Sequence, residues 1–341
     1  MKKSIFFAGL TAVLLLPACN KTLPAVSELS EPISLTVDVN DGPTRATGVT
    51  SNSSSGEAKV NSLQVFVFNG DNLDGYKKST GTTTTVSCTA GVREIYAVVN
   101  AADLSAVVSK SALLSQVATL TADGANFLMI GSTSETLQKS SAVSVSVNRL
   151  AARVVLKGVK NSLTNNTLAA DFKLKAVYLT NVAGDIDLGA SPTYTVSHWY
   201  NQRGYQAGNN LGNFTYDAVN SAISAGGTHS TAHYFYAMPN AHDAAVGGPW
   251  SPRATKLVIQ CVIGGITYDY PITLPALQSN YSYEIDLVTL TRPGNLDDGQ
   301  EPDDNHPDDT DEEDPVVGFD QDFKITITPW HVVNVTEGTT I

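Results

Sequence analysis

The chain has 341 residues, of which 42% are apolar and 16% charged, and a formal net charge of −12. That length suits two domains better than one, and the apolar share is enough to bury substantial cores. The acidity is local: thirteen acids and no Lys or Arg lie between Asp297 and Asp322, and outside that window 20 acids face 21 bases. No cluster of basic and aromatic residues exists, so no nucleic-acid partner is expected.

The N-terminus reads as an address. Lys2 and Lys3 precede a short apolar run, Ile5 to Leu16, too short to span a bilayer as a stable helix. It ends in Leu16-Pro17-Ala18-Cys19, which resembles the lipobox of bacterial lipoproteins, in which the cysteine is acylated. Residues 1–18 are therefore expected to be a signal peptide and Cys19 a lipidation site. The alternative is an ordinary secretory peptide with an incidental cysteine. Cys88 and Cys261, far apart in strand-like surroundings, are too few for a disulfide framework and read as small buried hydrophobes.

Residues 20–32 look like a spacer. From Ile33 to Val39 apolar and polar residues alternate, which puts Ile33, Leu35, Val37 and Val39 on one face of a half-buried strand. A turn-rich stretch carrying Arg45 and Ala46 follows, then residues 47–57, low in apolar content and expected to be mobile. Strands are expected at Leu63–Phe68, ending in the turn signal Asn69-Gly70-Asp71, and at Thr82–Cys88 and Glu94–Val99. Ser105–Leu120 has apolar residues at roughly helical spacing, which predicts one or two short helices. Val143–Val147 alternates cleanly and closes a first domain.

Residues 148–153 form a seam into a second set of short runs rich in Val, Ile, Tyr and Phe. These are Arg153–Gly158, Phe172–Asn181, His233–Met238, Lys256–Ile263, Ile266–Ile272 and Tyr281–Leu290, and Phe323–Thr328 and Trp330–Val335 come last. Short strands punctuated by Gly, Pro and Asn predict an all-β chain and a sandwich.

The ordered set of pieces resembles the fimbrillins, the subunits of type V pili of Bacteroidia. The pieces are the lipobox at Cys19, the Thr44-Arg45-Ala46 junction, LQVFVFNGDNLDGY (63–76), EIYAVVNAADL (94–104), SVSVNRLAARVVLKGV (144–159), YFYAMPN (234–240) and ITITPWHVVNV (325–335). No one of them is specific alone. The resemblance implies two β-sandwich domains of transthyretin-like, Greek-key type, residues 46–150 and 151–341, behind a propeptide of residues 19–45. It further implies a lipidated precursor at the outer membrane, cut after Arg45 by a trypsin-like, Arg-specific protease. The strand bearing Ile33, Leu35, Val37 and Val39 would leave, and a strand from the C-terminal region of another subunit would replace it in a head-to-tail polymer. The donor in this sequence would be the tail His331–Ile341, with Val333 and Val335 facing the groove and Ile341 reaching a final pocket. The rival readings are a lipid-retaining anchor subunit and a surface glycan-binding lipoprotein.

Other constellations carry less. The acidic segment 297–314 lacks the EF-hand pattern and reads as a solvated, self-repelling loop rather than a calcium site. His229, His233 and His242 have no Cys or acid nearby to complete a set apart from Asp243, so no metal is expected. The aromatic stretch from His198 through Tyr205 to Phe214 and Tyr216 could stack on a sugar or simply fold against the sandwich. No GxSxG, HExxH, Walker or dinucleotide fingerprint is present, so neither an enzyme nor a cofactor is expected.

Overall fold

A computed structural model describes residues 32–41, 57, 59–120, 126–243, 250–297 and 325–329. The first half contains β1 (Pro32–Asp41), β2 (Leu63–Asn69), β3 (Asn72–Ser79), β4 (Thr83–Thr89), β5 (Gly91–Val99), α1 (Lys110–Leu114), β6 (Val117–Thr119), β7 (Met129–Leu137) and β8 (Ala142–Arg149). Seven of its strands form one sheet in the order β3-β2-β5-β7-β8-β1-β4. The sheet folds over so that its two ends meet. Thr89 N at the end of β4 donates to Asp74 Oδ2 on β3 at 2.8 Å, and Arg93 Nε reaches the same oxygen at 2.8 Å. The result is a sandwich whose interior is filled from both leaves: Leu63, Val65, Val67, Ile95 and Val99 face Leu35, Val37, Val86 and Val145.

Six consecutive residues of β2 are buried, Leu63 to Phe68, because both faces of this strand are covered. Leu63, Val65 and Val67 belong to the first core, whereas Phe66 and Phe68 point into a second core shared with the C-terminal half. Gln64, on the Phe66 side, is satisfied there: its amide donates to Ala102 O at 2.6 Å and its oxygen accepts from Tyr76 Oη and Leu104 N, each at 2.9 Å.

The second half comprises β9 (Ala152–Leu156), β10 (Val159–Asn161), α2 (Asn166–Ala170), β11 (Phe172–Thr180), β12 (Val182–Ala183), β13 (Asp185–Asp187), β14 (Trp199–Tyr200), β15 (Tyr216–Ala222), β16 (Thr228–His229), β17 (His233–Ala237), β18 (Lys256–Ile263), β19 (Ile266–Thr273), β20 (Tyr281–Ile285), β21 (Val288–Leu290), β22 (Asn295–Leu296) and β23 (Ile325–Pro329). A five-stranded sheet, β15-β11-β18-β19-β22, and a four-stranded one, β17-β9-β20-β23, enclose its core, with β16-β10-β21 beside them. Where β11 bulges between Leu174 and Ala176, the inward set shifts from Leu174 to Val177 and Leu179, and Tyr178 faces the opposite side.

The chain is all-β, with two short α-helices among the described residues. Two local expectations need correction. One of the short helices expected in 105–120 is present, at Lys110–Leu114, but Val117–Thr119 is a strand that pairs with Asp185–Asp187 of the C-terminal half, so long-range pairing overrides the apolar spacing there. Tyr281–Leu290 divides into β20, which lies on β9, and β21, which lies on β10. Neither α2, capped by the Asn165 side chain, nor its cap stands out in the sequence. Cys88 and Cys261 are buried free thiols in separate cores.

At Gly131 the leaves come together so closely that an added Cβ would collide with the Ser146 carbonyl. Gly131→Ala is therefore expected to lower stability by about 1–3 kcal/mol through forced backbone movement, read as a lower urea midpoint at unchanged slope.

Candidate functional site: the seat of the first strand

β1 is not an edge strand. It lies in the middle of its leaf, antiparallel to β4 from Pro32↔Thr89 to Asp38↔Thr83 and parallel to β8 from Thr36↔Ala142 to Asp41↔Val147. Its alternating sequence makes this position possible. Ile33, Leu35, Val37 and Val39 are 8%, 0%, 0% and 3% exposed, while Pro32, Ser34 and Thr36 face solvent. On the inner face Ile33 stands opposite Cys88, Leu35 opposite Val86 and Val37 opposite Thr84 on one side; Val37 meets Val143 and Val39 meets Val145 on the other. Thr36 N donates to Ser141 O at 3.0 Å and Val39 N to Thr82 O at 2.8 Å, and outside Thr83 Oγ1 donates to Asp38 Oδ1 at 2.9 Å.

Two physical terms hold the strand. Full burial of a large aliphatic side chain contributes about 1.5–3 kcal/mol, so the four together contribute roughly 6–12 kcal/mol. That is comparable with the whole stability of an ordinary domain, about 5–15 kcal/mol. The second term is the double ladder. Withdrawing β1 would leave unpaired backbone groups on both β4 and β8, lining a slot whose floor is Leu63, Val65 and Ile95. Burial beside this slot pushes the Cys88 thiol up to about 11, so it stays protonated and acts as an apolar wall.

The anchor after the strand was not foreseen. Glu57, in the stretch expected to be mobile, is 6% exposed. Its carboxylate accepts from Tyr236 Oη at 2.7 Å and from Arg153 Nη1 at 3.2 Å, and its carbonyl accepts from Arg149 Nε at 2.9 Å. Arg153 also reaches Ser282 Oγ at 3.1 Å and Glu284 at 3.5 Å. No local signal marks Glu57, because its partners lie 92 to 179 residues away in sequence. β1 thus ends beside Val147 and the chain is gripped again beside Arg149, two positions further along β8, with residues 42–56 between the two points.

Arg45 and Ala46 fall within residues 42–56 and lie outside the described residues, as do Cys19, Val333, Val335 and Ile341. The other arginines limit where an Arg-specific protease can act. Arg93, Arg149, Arg153, Arg203 and Arg253 are each 5% exposed or less. Arg292 is exposed but precedes Pro293, whose ring nitrogen carries no N–H.

The other sequence candidates resolve differently. His229 Nε2 and His233 Nε2 are 3.1 Å apart, and His233 Nδ1 is 2.7 Å from Asp217 Oδ2. The two rings are nearly coplanar, 15° apart with centroids at 5.2 Å, so their nitrogens face each other head-on. That suits an N–H···N bond; a metal held at about 2.0–2.1 Å from both would need converging axes. His242 is elsewhere, against Trp199. Among the described residues no group of three or more His, Cys, Asp or Glu could hold a metal ion. The 198–216 aromatics are divided: Trp199 is buried, Tyr205 and Tyr216 pack half-buried around Tyr178, and His198 is exposed.

A family model described as the major fimbrial subunit protein (FimA) matches residues 32–233, beginning at the first residue of β1. No curated protein matches. Solved structures of similar fold include a fimbrilin (fimA) from Porphyromonas gingivalis, with TM-score 0.62, 18% identity, and coverage of 89% of this chain and 98% of that one. Another is a putative cell adhesion protein from Bacteroides eggerthii, with TM-score 0.61, 20% identity, and coverage of 88% and 97%. The tip fimbrial protein Mfa3 from Porphyromonas gingivalis, C-terminally truncated, has TM-score 0.54, 13% identity, and coverage of 88% and 100%.

Two measurements follow from this geometry. Leu35→Ala is expected to cost about 2–5 kcal/mol in urea unfolding, whereas Thr36→Ala on the outer face should stay within about 0.5 kcal/mol. Burial, with the neighbouring His233 second, holds the His229 imidazole below its usual 6.5. The folded chain therefore favours neutral His229, and the stability this gives is present above 6.5 and lost as pH falls through and below it. His229→Gln should flatten the decline in melting temperature between about pH 7 and pH 5.

Proposed function

The chain belongs to the family of the major fimbrial subunit protein FimA, and from that membership we propose how this subunit is prepared and assembled. It is a structural subunit of a cell-surface fimbria, a non-catalytic role in which it associates with other fimbrial subunits. In the proposed cycle it is exported as a precursor lipidated at Cys19 and held at the outer membrane. An Arg-specific protease cuts after Arg45, so that the mature chain begins at Ala46. The lipid and β1 leave together, and the slot between β4 and β8 accepts the tail of a second subunit.

The observation that carries this reading is the position of β1. A strand that sits between two partners and fills a core with four side chains would leave a specific vacancy if it were withdrawn. A new strand with apolar residues at every second position recovers both the ladders and the burial, which is strand addition as a binding mode. Val333 and Val335 have that spacing, and Ile341 keeps the same parity. Glu57 supports the division of labour, because its ties to Arg149, Arg153 and Tyr236 would hold the new N-terminal segment to the body after the cut. The burial of five of the other six arginines supports Arg45 as the scissile residue. A contact that runs from the tail of one subunit to the slot of the next does not close on itself, so it builds a filament.

The test is limited proteolysis of the purified precursor with an Arg-specific protease, followed by N-terminal sequencing and an unboiled gel. The expected outcome is a new N-terminus at Ala46 and a ladder of heat-sensitive oligomers. Arg45→Ala should abolish both. Val333→Asp with Val335→Asp should permit the cut and remove the ladder. Cleavage of the unaltered chain with no ladder would point instead to an anchor or a separate surface-binding protein.

A further inference from the structure

A cleft of about 530 Å³ opens in the C-terminal half and shares no residue with the seat of β1. Three segments wall it: Ile186 of β13 with Tyr194 and Val196 beyond it, residues 239–242 after β17, and residues 277–279 before β20. Bonds within the chain hold all three in place. Asn240 and Leu277 exchange backbone hydrogen bonds at 3.0 and 2.7 Å. The Asn240 amide donates to Arg253 O at 2.8 Å and to Thr255 Oγ1 at 2.9 Å, and its oxygen accepts from His242 N at 3.0 Å. On the opposite wall Tyr194 N donates to Ser191 O at 3.0 Å. Burial first, and then the Asp185 carboxylate that its hydroxyl meets, push the Tyr194 phenol above its usual range, so the ring stays neutral. The His242 ring rests on Trp199, with centroids 5.7 Å apart. A cleft built in advance spends little binding energy on ordering its walls.

The chemistry of the walls narrows what they can hold. Tyr194, Val196 and Leu277 offer apolar surface, and the Tyr194 ring is half-buried, so part of it faces the opening. The Gln278 amide and the His242 imidazole are exposed at the walls and make no side-chain hydrogen bond among the described residues. Each can both donate and accept. No Asp, Glu, Lys or Arg contributes to the lining. The carboxylates that flank Ile186 are turned elsewhere: Asp185 accepts from Ser197 N at 2.9 Å and Asp187 from Ser191 N at 2.7 Å. A charged ligand would therefore find no counter-charge. The volume falls within the range of small-molecule sites, about 300–1,000 Å³, and so does the mixture of apolar surface with a few polar groups. A neutral sugar ring matches it, since one face is made of C–H groups and its edge carries hydroxyls that donate and accept.

We propose that this cleft binds a neutral saccharide, with the C–H face of one sugar ring against Tyr194 and its hydroxyls bonded to Gln278 and His242. The site needs neither cleavage nor strand donation, because every wall belongs to the half that takes nothing from β1. One shallow site of this kind binds weakly. A fibre that repeats the subunit presents many copies of it, and linked weak sites bind a glycan-covered surface far more tightly than one alone.

Saturation-transfer NMR on the uncleaved full chain tests this with the methyl glycosides of glucose, galactose, mannose, fucose, N-acetylglucosamine and N-acetylgalactosamine, and with that of sialic acid as the anionic control. The expected result is transfer to the C–H groups on one face of at least one neutral glycoside, with a millimolar Kd, and none to the sialoside. Gln278→Ala should weaken that binding roughly tenfold, the loss of about one hydrogen bond, and Tyr194→Ala should abolish it. The Gln278 side chain is exposed, so its variant should melt as the unaltered chain does and decides the matter if Tyr194→Ala folds poorly. Absence of transfer to every neutral glycoside would overturn the proposal. So would transfer unchanged in Gln278→Ala, which would place the sugar elsewhere, or a sialoside bound as tightly as the best neutral glycoside. The oligomer ladder after cleavage bears on strand donation alone, so either idea can fail without the other.

Discussion

The first half of the molecule depends on a strand placed in the middle of a three-stranded leaf. β4 is joined to β8 only through β1. The core between the leaves draws Ile33, Leu35, Val37 and Val39 from that one element. An edge strand could peel away and leave one exposed ladder. This one serves two ladders and fills the interior, so its loss cannot be absorbed by fraying. The damage is nevertheless bounded. The larger core of the C-terminal half takes Phe66 and Phe68 from the far face of β2 and nothing from β1. One half can therefore lie open while the other remains a packed body that keeps β2 in position.

The same arrangement separates what the sequence reveals from what it hides. The strict alternation from Ile33 to Val39 is a local signal, and the structure turns it directly into one buried and one solvated face. The run Leu63–Phe68 is equally plain as a strand, but nothing local states that both of its faces are covered. Where pairing is distant, the reading fails for physical reasons. Val117 and its neighbours carry helix-like spacing, yet their partners at Asp185–Asp187 decide for a strand. Glu57 closes a run of Ser, Gly and Asn and gives no hint of burial; Tyr236, Arg149 and Arg153, all remote in sequence, bring it inside. The ordered pieces guided the reading of family better than any single motif, and four of them, within 63–76, 94–104, 144–159 and 234–240, contain strands that build the two cores.

The buried ionic group at Glu57 has a structural logic beyond pairing charges. Arg149 lies at the end of β8, the strand that flanks β1, and Arg153 lies on β9, the first strand of the second half. One carboxylate and one carbonyl thus tie the entering chain to both halves at the point where they join. Removing one partner from such a group is more damaging than replacing the whole group, because it leaves a charge without compensation in a dry place. The site is consequently better suited to fixing a position than to adding net stability.

The tether between Asp41 and Glu57 has a kinetic consequence. While the bonds between Asp41 and Glu57 are intact, covalent connection confines β1 near its own seat at an effective concentration on the order of millimolar. On the assembly reading, no free subunit at ordinary abundance competes with that while the chain is uncut. Severing the tether changes no contact in the slot; it lets β1 dilute into the surroundings once it has left. On the assembly reading, proteolysis then acts as a concentration switch: a single hydrolysed bond hands the advantage to the next subunit, and the departing strand has no means of regaining it.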